Sequence, residues 1–454
     1  MKINELKITK KLSILNIDQG SKLTSFFKRK DGKITGEIYL LSFFMMLLSG
    51  GTTLLHWTLQ ISKLVDGLTL TEQGLDKKLQ FRQVKFAKWL LLKSIQLQLK
   101  FNIKESEANS LRPQELPLDS FNRILLQDST CVNVPKNLSE FFPSSFTKNG
   151  VNATARIQLT IDLLSDNYES ISLGSFRDND ASSSADILEM IQTNDLILRD
   201  KGYWSLDVFA ALDNRSCYFL SRLKYGVNLY DVVSQEKIDL NKILKKSKKN
   251  DTQTIDKEIV IGANHQLKVR LIAIRLPEEV AAERRRKARQ DRHSKTNHSK
   301  DYYERLGWCI FITNIPQKML NAEQIVKVYR LRWHIEIIFK VWKSKFDFSK
   351  MFQKTSMKPS RAIITFYLLL AWLTLFFVYL YSYFLIKVFN KKKRFISIFN
   401  PDSYRDSEFL LVFMQDSSKQ AQLLERPDDF IDIVASSCLY DKRSNKNQME
   451  LIYC

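Results

Sequence analysis

The run LILRDKGYWSLDVFAAL, residues 196–212, decides the fold. Leu196, Ile197 and Leu198 are too short an apolar run for a helix. They form a short apolar strand, which delivers Asp200 at its end. Lys201-Gly202-Tyr203 then turns the chain into a helix over SLDVFAAL, and CYFLSRLK (217–224) follows as the next strand. Strand, turn, helix, strand is an α/β unit. Upstream, FNRILLQDSTCVNV opens with another buried strand, Arg123 to Gln127, with Asp128 at its end. Alone, Asp128 better suits a turn or a cap. ATARIQLTIDLLSD and YESISLGSFRDND supply two further strands around a turn at Ser165 to Asn167, and ADILEMIQ (185–192) a short helix with Ser182 to Ser184 as its cap. The order of three strands, helix, strand, helix, strand is that of an RNase H-like core, with two aspartates at strand ends.

Downstream, WCIFITNI opens with Trp308 and reads as a strand. After it, NIPQKMLNAEQI places Asn321 as N-cap and Gln324 three residues on. EQIVKVYRLRWHIEIIFKVWKSKF, 323–346, then reads as one amphipathic helix. Val328, Leu331, Ile335, Ile338, Phe339, Trp342 and Phe346 form its apolar side. Tyr329, Arg332, Glu336 and Lys343 fall within an arc of roughly 60° on the other. By spacing alone that stripe is as well explained by a solvated face. His334 points away from it and reads as flanking.

Filled in this order, Tyr329, Arg332, Glu336 and Lys343 match a Tyr-Arg-Glu-Lys signature. The chain resembles the DDE transposases of bacterial insertion sequences, specifically the insertion sequence four family. LILRDKGYWSLDVFAAL resembles that family's second-acid motif, with Lys201 where the family commonly has Arg. The resemblance covers roughly residues 120 to 345. It implies Asp128, Asp200 and Glu336 as catalytic acids and ligands of two Mg2+ ions, with Mn2+ as substitute. Their hard oxygen donors suit either ion. It further implies DNA contacts from Tyr329, Arg332, Lys343 and Lys201. Trp308 would stack on a flipped base, a role with which core packing competes.

Composition agrees with a polyanionic partner. The chain has 454 residues, Lys+Arg 70 against Asp+Glu 49, and a net charge of +21. Five scattered cysteines form no CxxC pair, which excludes a zinc knuckle or disulfide scaffold and suits a reducing interior. No Walker loop, HExxH or Gly-x-Ser-x-Gly is present. Two uncharged stretches, Ile38 to Ser62 and Ala362 to Ile386, raise a membrane reading that burial of apolar helices competes with. The expected organisation is a helical DNA-binding region at 1–115, the RNase H-like catalytic core at 116–225 and 308–350, a β-rich basic insertion at 226–307, and a helical region at 351–454. KILKKSKKNDTQTIDKE reads as a connector and Arg284 to Lys300 as a solvated basic segment that competes with a DNA contact. The expected function is cut-and-paste transposition. The enzyme would bind terminal inverted repeats and target DNA, as a homodimer on double-stranded DNA in the cytoplasm, hydrolyse the ends and join the freed 3′-hydroxyl to target. The alternative is an inert DNA-binding relic.

Overall fold

The computed structural model describes residues 15–26, 33–98, 116–147, 150–262, 267–290, 299–344, 346, 348–354 and 357–375. The helical expectation for 376–454, Arg292 and most of the linker at 105–120 lie outside them. Ten strands occur among the described residues: β1 Ile124–Val134, β2 Pro143–Thr147, β3 Gly150–Asp162, β4 Asn167–Ser175, β5 Leu196–Arg199, β6 Tyr218–Arg222, β7 Leu229–Asp231, β8 Thr254–Ile261, β9 Leu267–Arg275 and β10 Trp308–Thr313. The helices are α1 Ile17–Leu23, α2 Gly36–Leu48, α3 Leu54–Leu64, α4 Glu72–Lys78, α5 Phe81–Gln98, α6 Leu206–Asn214, α7 Leu240–Lys249, α8 Glu278–Gln290, α9 Lys300–Arg305, α10 Ala322–Arg330, α11 Trp333–Ser344 and α12 Pro359–Leu375.

All ten strands share one sheet in the order β2-β3-β1-β5-β6-β10-β9-β8-β7, with β4 beside β3. Within it, β4-β3-β1 is antiparallel while β1-β5 and β5-β6 are parallel, the RNase H-like arrangement. The insertion strands β7, β8 and β9 extend that same sheet through the antiparallel β9-β10 pair. Side chains alternate between two cores, as a pleat of period two requires. Leu196 and Leu198 join the core shared with the N-terminal helices, α10, α11 and α12. Ile197, between them, joins the core under α6 and α7. Burial on both faces explains the unbroken apolar run of β5.

Local chemistry starts the helices where the sequence suggests. Ser205 accepts the Val208 N–H and caps α6, and Asn321 with Gln324 forms a full capping box on α10. Three local readings change. Residues 182–189 form a 3-10 helix in place of the α-helix read at 185–192. The basic connector folds into α7, capped by Asp239 and anchored by buried Leu240 and Leu244. Arg284 lies within α8, whereas 291–298 fall outside the described residues. The described parts of the apolar stretches are buried helices: α12, ending at Leu375, packs its Leu368, Leu369 and Leu373 into the core, and the Trp57 indole N–H on α3 donates to Ser42 Oγ on α2 at 2.9 Å, while 376–386 lie outside the described residues. Among the described residues no helix is long and apolar enough to cross a membrane.

Candidate active site

β1 does not end at Asp128; it continues to Val134. What ends there is its pairing with β5, whose last matched pair is Gln127 with Arg199. Asp128 and Asp200 are therefore the next residues on two adjacent parallel strands, where the sheet opens into a crevice at its carboxyl edge. The buried Arg199 guanidinium braces that edge, donating to Gln127 Oε1 at 2.6 Å and Ser184 Oγ at 2.9 Å. Burial lowers its pKa to about 10.

The 323–346 run is two helices, α10 and α11. Between them Leu331, Arg332 and His334 each donate to the carbonyl three residues back, at 3.1, 3.1 and 3.0 Å, so the chain tightens for one turn. The break still gathers the signature residues. Arg332 Nη1 lies 3.2 Å from Asp128 Oδ2 and Nη2 contacts Glu336 Oε1, one guanidinium between two of the three acids. Tyr329 does not look outward: its ring is 7% exposed and its hydroxyl donates to the Arg199 carbonyl at 3.3 Å. Lys343 is exposed, two turns beyond Glu336. His334 is buried with Nε2 3.4 Å from Asp166, away from the acids.

Burial raises the Asp128 carboxyl to about 6. The Ser129 N–H and Arg332 pull it down, and the charges of Glu336 and Asp200 push it up. Both other acids thus bear on Asp128. Among the described residues no three His, Cys, Asp or Glu side chains are set to share a metal ion. The donor chemistry nevertheless fits one. Asp128 and Glu336 offer hard oxygen donors with a positive charge already between them, and Asp200 is the first residue past the last β1-β5 pair.

The Lys201 pKa is lowered, first by burial, then by Arg222. Arg222 lies over the Tyr329 ring at 5.6 Å, and Arg284 reaches Cys309 Sγ at 3.7 Å. Trp308 is elsewhere. Strand alternation places it with Ile312 in the core under α6 and α7, 5% exposed and across the sheet from α11. Stacking on a base would require it to leave that core. The sequence reading missed Asp180. Its Oδ1 accepts from Ser129 Oγ at 2.7 Å and from Arg156 Nη1 at 2.8 Å. Its Oδ2 would lie 2.7 Å from a Cβ at position 202, so a side chain there would push the Asp180 carboxylate aside. Nothing local marks Asp180, since its partners lie 24 and 51 residues away.

Residues 119–372 match the Transposase DDE domain family. The chain belongs to the DDE transposases of bacterial insertion sequences. It is 30% identical to the transposase for insertion sequence element IS231B of Bacillus thuringiensis subsp. berliner, over 73% of this chain and 70% of the relative. It is 28% identical to that for IS1151 of Clostridium perfringens, over 76% and 74%. Both elements fall in the insertion sequence four family. A solved piggyBac transposase synaptic complex with hairpin DNA covers 97% of this chain and 86% of its own, at 12% identity and a TM-score of 0.41. This DDE transposase is therefore an enzyme of an insertion sequence, as its acid and signature residues implied.

Proposed function

We propose that this transposase cuts both ends of its element by metal-dependent hydrolysis of a phosphodiester and joins the freed 3′-hydroxyl to target DNA. The observation that carries this reading is the gathering of Asp128 and Glu336 around Arg332, with the Asp200 charge bearing on Asp128. Asp128, Asp200 and Glu336 would hold Mg2+ or Mn2+, which when bound supplies Lewis acidity to the attacking and leaving oxygens of an in-line displacement.

The chain's own residues do the positioning. β1 holds Asp128 in its ladder with β3, and β5 delivers Asp200 as the first residue beyond its own end. Arg332, once drawn off the acids, is placed to hold a neighbouring phosphate, and Lys343 and Lys201 extend that grip to either side. Tyr329 secures the β5 end through Arg199. Exposed Lys85 and Lys88 on α5 support a terminal-repeat contact by the N-terminal helices. Two ends must meet for transposition, so two copies act together on DNA.

Glu336→Gln tests the reading. Mg2+-dependent nicking of DNA bearing the element ends should fall by about a thousandfold or more, with end binding retained. Equal cleavage by that variant would refute it.

A further inference from the structure

Asp180 lies between β4 and the 3-10 helix at 182–189, in a loop whose own turns are pinned. Asp178 Oδ2 accepts the Ser175 N–H at 2.6 Å, and Asn179 Oδ1 accepts the Ser182 N–H at 2.9 Å. The loop carries the Asp180 carboxylate onto β1. Its Oδ1 accepts from Ser129 Oγ at 2.7 Å and from Arg156 Nη1 at 2.8 Å, and the same Arg156 Nη1 donates to Ser129 Oγ at 2.8 Å. The Ser129 hydroxyl therefore gives its one proton to Asp180 and accepts from Arg156, which fixes its rotamer. Arg156 is held in turn by the Phe176 carbonyl at 3.3 Å. Ser129 follows Asp128 on β1, so this three-way contact stands behind the acid, on the other face of the sheet.

Two links run from it to the catalytic aspartates. The Ser129 N–H, two residues past the last β1-β5 pair, donates to Asp128 Oδ1 at 2.8 Å, so whatever fixes Ser129 aims that bond. Asp180 Oδ2 lies against Gly202, in the turn that follows Asp200. That turn is tied back to the same place: the Tyr203 hydroxyl donates to Gln158 Oε1, and Gln158 is the partner of Ser129 across β1-β3. The ladder between β1 and β5 stops at Gln127 and Arg199, one residue short of both acids. Asp180 touches both segments beyond that point.

We propose that Asp180 is a positioning residue of the catalytic centre: by holding Ser129 on one side and the Gly202 turn on the other, it sets the spacing at which Asp128 and Asp200 meet a metal ion. The inference rests on the reading that these acids bind metal to cut DNA. Hydrogen bonds to an ionic acceptor are about twice as strong as neutral ones, which suits a brace. Groups standing behind the ligands of a metal fix their orientation and thereby its affinity.

The test titrates the full chain with Mn2+, read by electron paramagnetic resonance, and takes as the catalytic site the binding that Asp128→Asn removes. Asp180→Ala and the isosteric Asp180→Asn should bind Mn2+ there about tenfold to a hundredfold more weakly than wild type, and should cut element-end DNA more slowly by a similar factor. Duplex affinity without metal should stay at the wild-type value. Ser129→Ala/Asp180→Ala should lose no more than Asp180→Ala alone, because Ser129 only passes the constraint on. If the alanine variant does not fold, Asp180→Asn carries the test. Mn2+ affinity equal to wild type in a folded Asp180 variant would overturn the brace, as would weakened duplex binding in its place. Wild type that binds Mn2+ at this site without cutting DNA would overturn the cutting reading alone, the brace still being decided by the Mn2+ affinities. Wild type that binds no Mn2+ there would overturn both.

Discussion

One sheet carries two kinds of carboxylate. At the β1-β5 end, Asp128 is pushed up to about 6, mainly by burial. In the extension built by β7, β8 and α8, Asp231 is pulled down to about 2 by the hydrogen bond from Lys257, and Glu283 to about 2 by that from Arg286. The first group is desolvated among like charges and wants a cation. The second is satisfied on the surface by its own lysines and arginines. An incoming cation is therefore favoured at the β1-β5 end, whereas these carboxylates of the extension are already paired.

Breaking the first group should have the largest consequence. Asp200→Asn is expected to reduce end cleavage by about a thousandfold or more, read in a single-turnover nicking assay, while leaving the fold intact. Next comes the packing that sets Glu336 over the crevice. Trp342 is 1% exposed, 6.2 Å from both Tyr168 and Phe348, so Trp342→Ala should cost about 3–5 kcal/mol in denaturant unfolding. Smaller is the pH dependence of the metal-free protein. Because the folded Asp128 value of about 6 lies above the unfolded one, the folded chain keeps a proton that the unfolded chain has lost between about pH 4 and 6. Stability should fall as pH rises through that window, by on the order of 3 kcal/mol, and level off above it. Asp128→Asn should abolish that component, and excess Mg2+ should offset it in wild type. At the small end, Lys257→Ala removes an exposed pair and should leave the unfolding midpoint within error.

The same contrast explains what was legible in the sequence. Asp200 could be read because a four-residue strand, a turn and the Ser205 cap are all encoded within a few neighbouring residues. The capping box of Asn321 and Gln324 was legible for the same reason. The break at Leu331 was not, because helical periodicity continues through it and the bonds that reward the tight turn come from Asp128, 204 residues away. The burial of Tyr329 followed a similar logic: its hydroxyl partner lies on β5. Trp308 could be placed on a strand but not on a face of it, and the face is what removes it from the crevice. The continuation of the sheet into β9, β8 and β7 depends on long-range pairing, so local pattern showed a β-rich insertion without its neighbour.

The most direct measurement of the central claim is divalent-metal-dependent cleavage of a duplex bearing the DNA that flanks this reading frame, wild type beside Asp128→Asn. The account predicts cleavage by wild type only, with both proteins binding the duplex equally. Cleavage by both, or binding without cleavage by either, would contradict the assignment of the β1-β5 crevice as the catalytic centre of an active transposase.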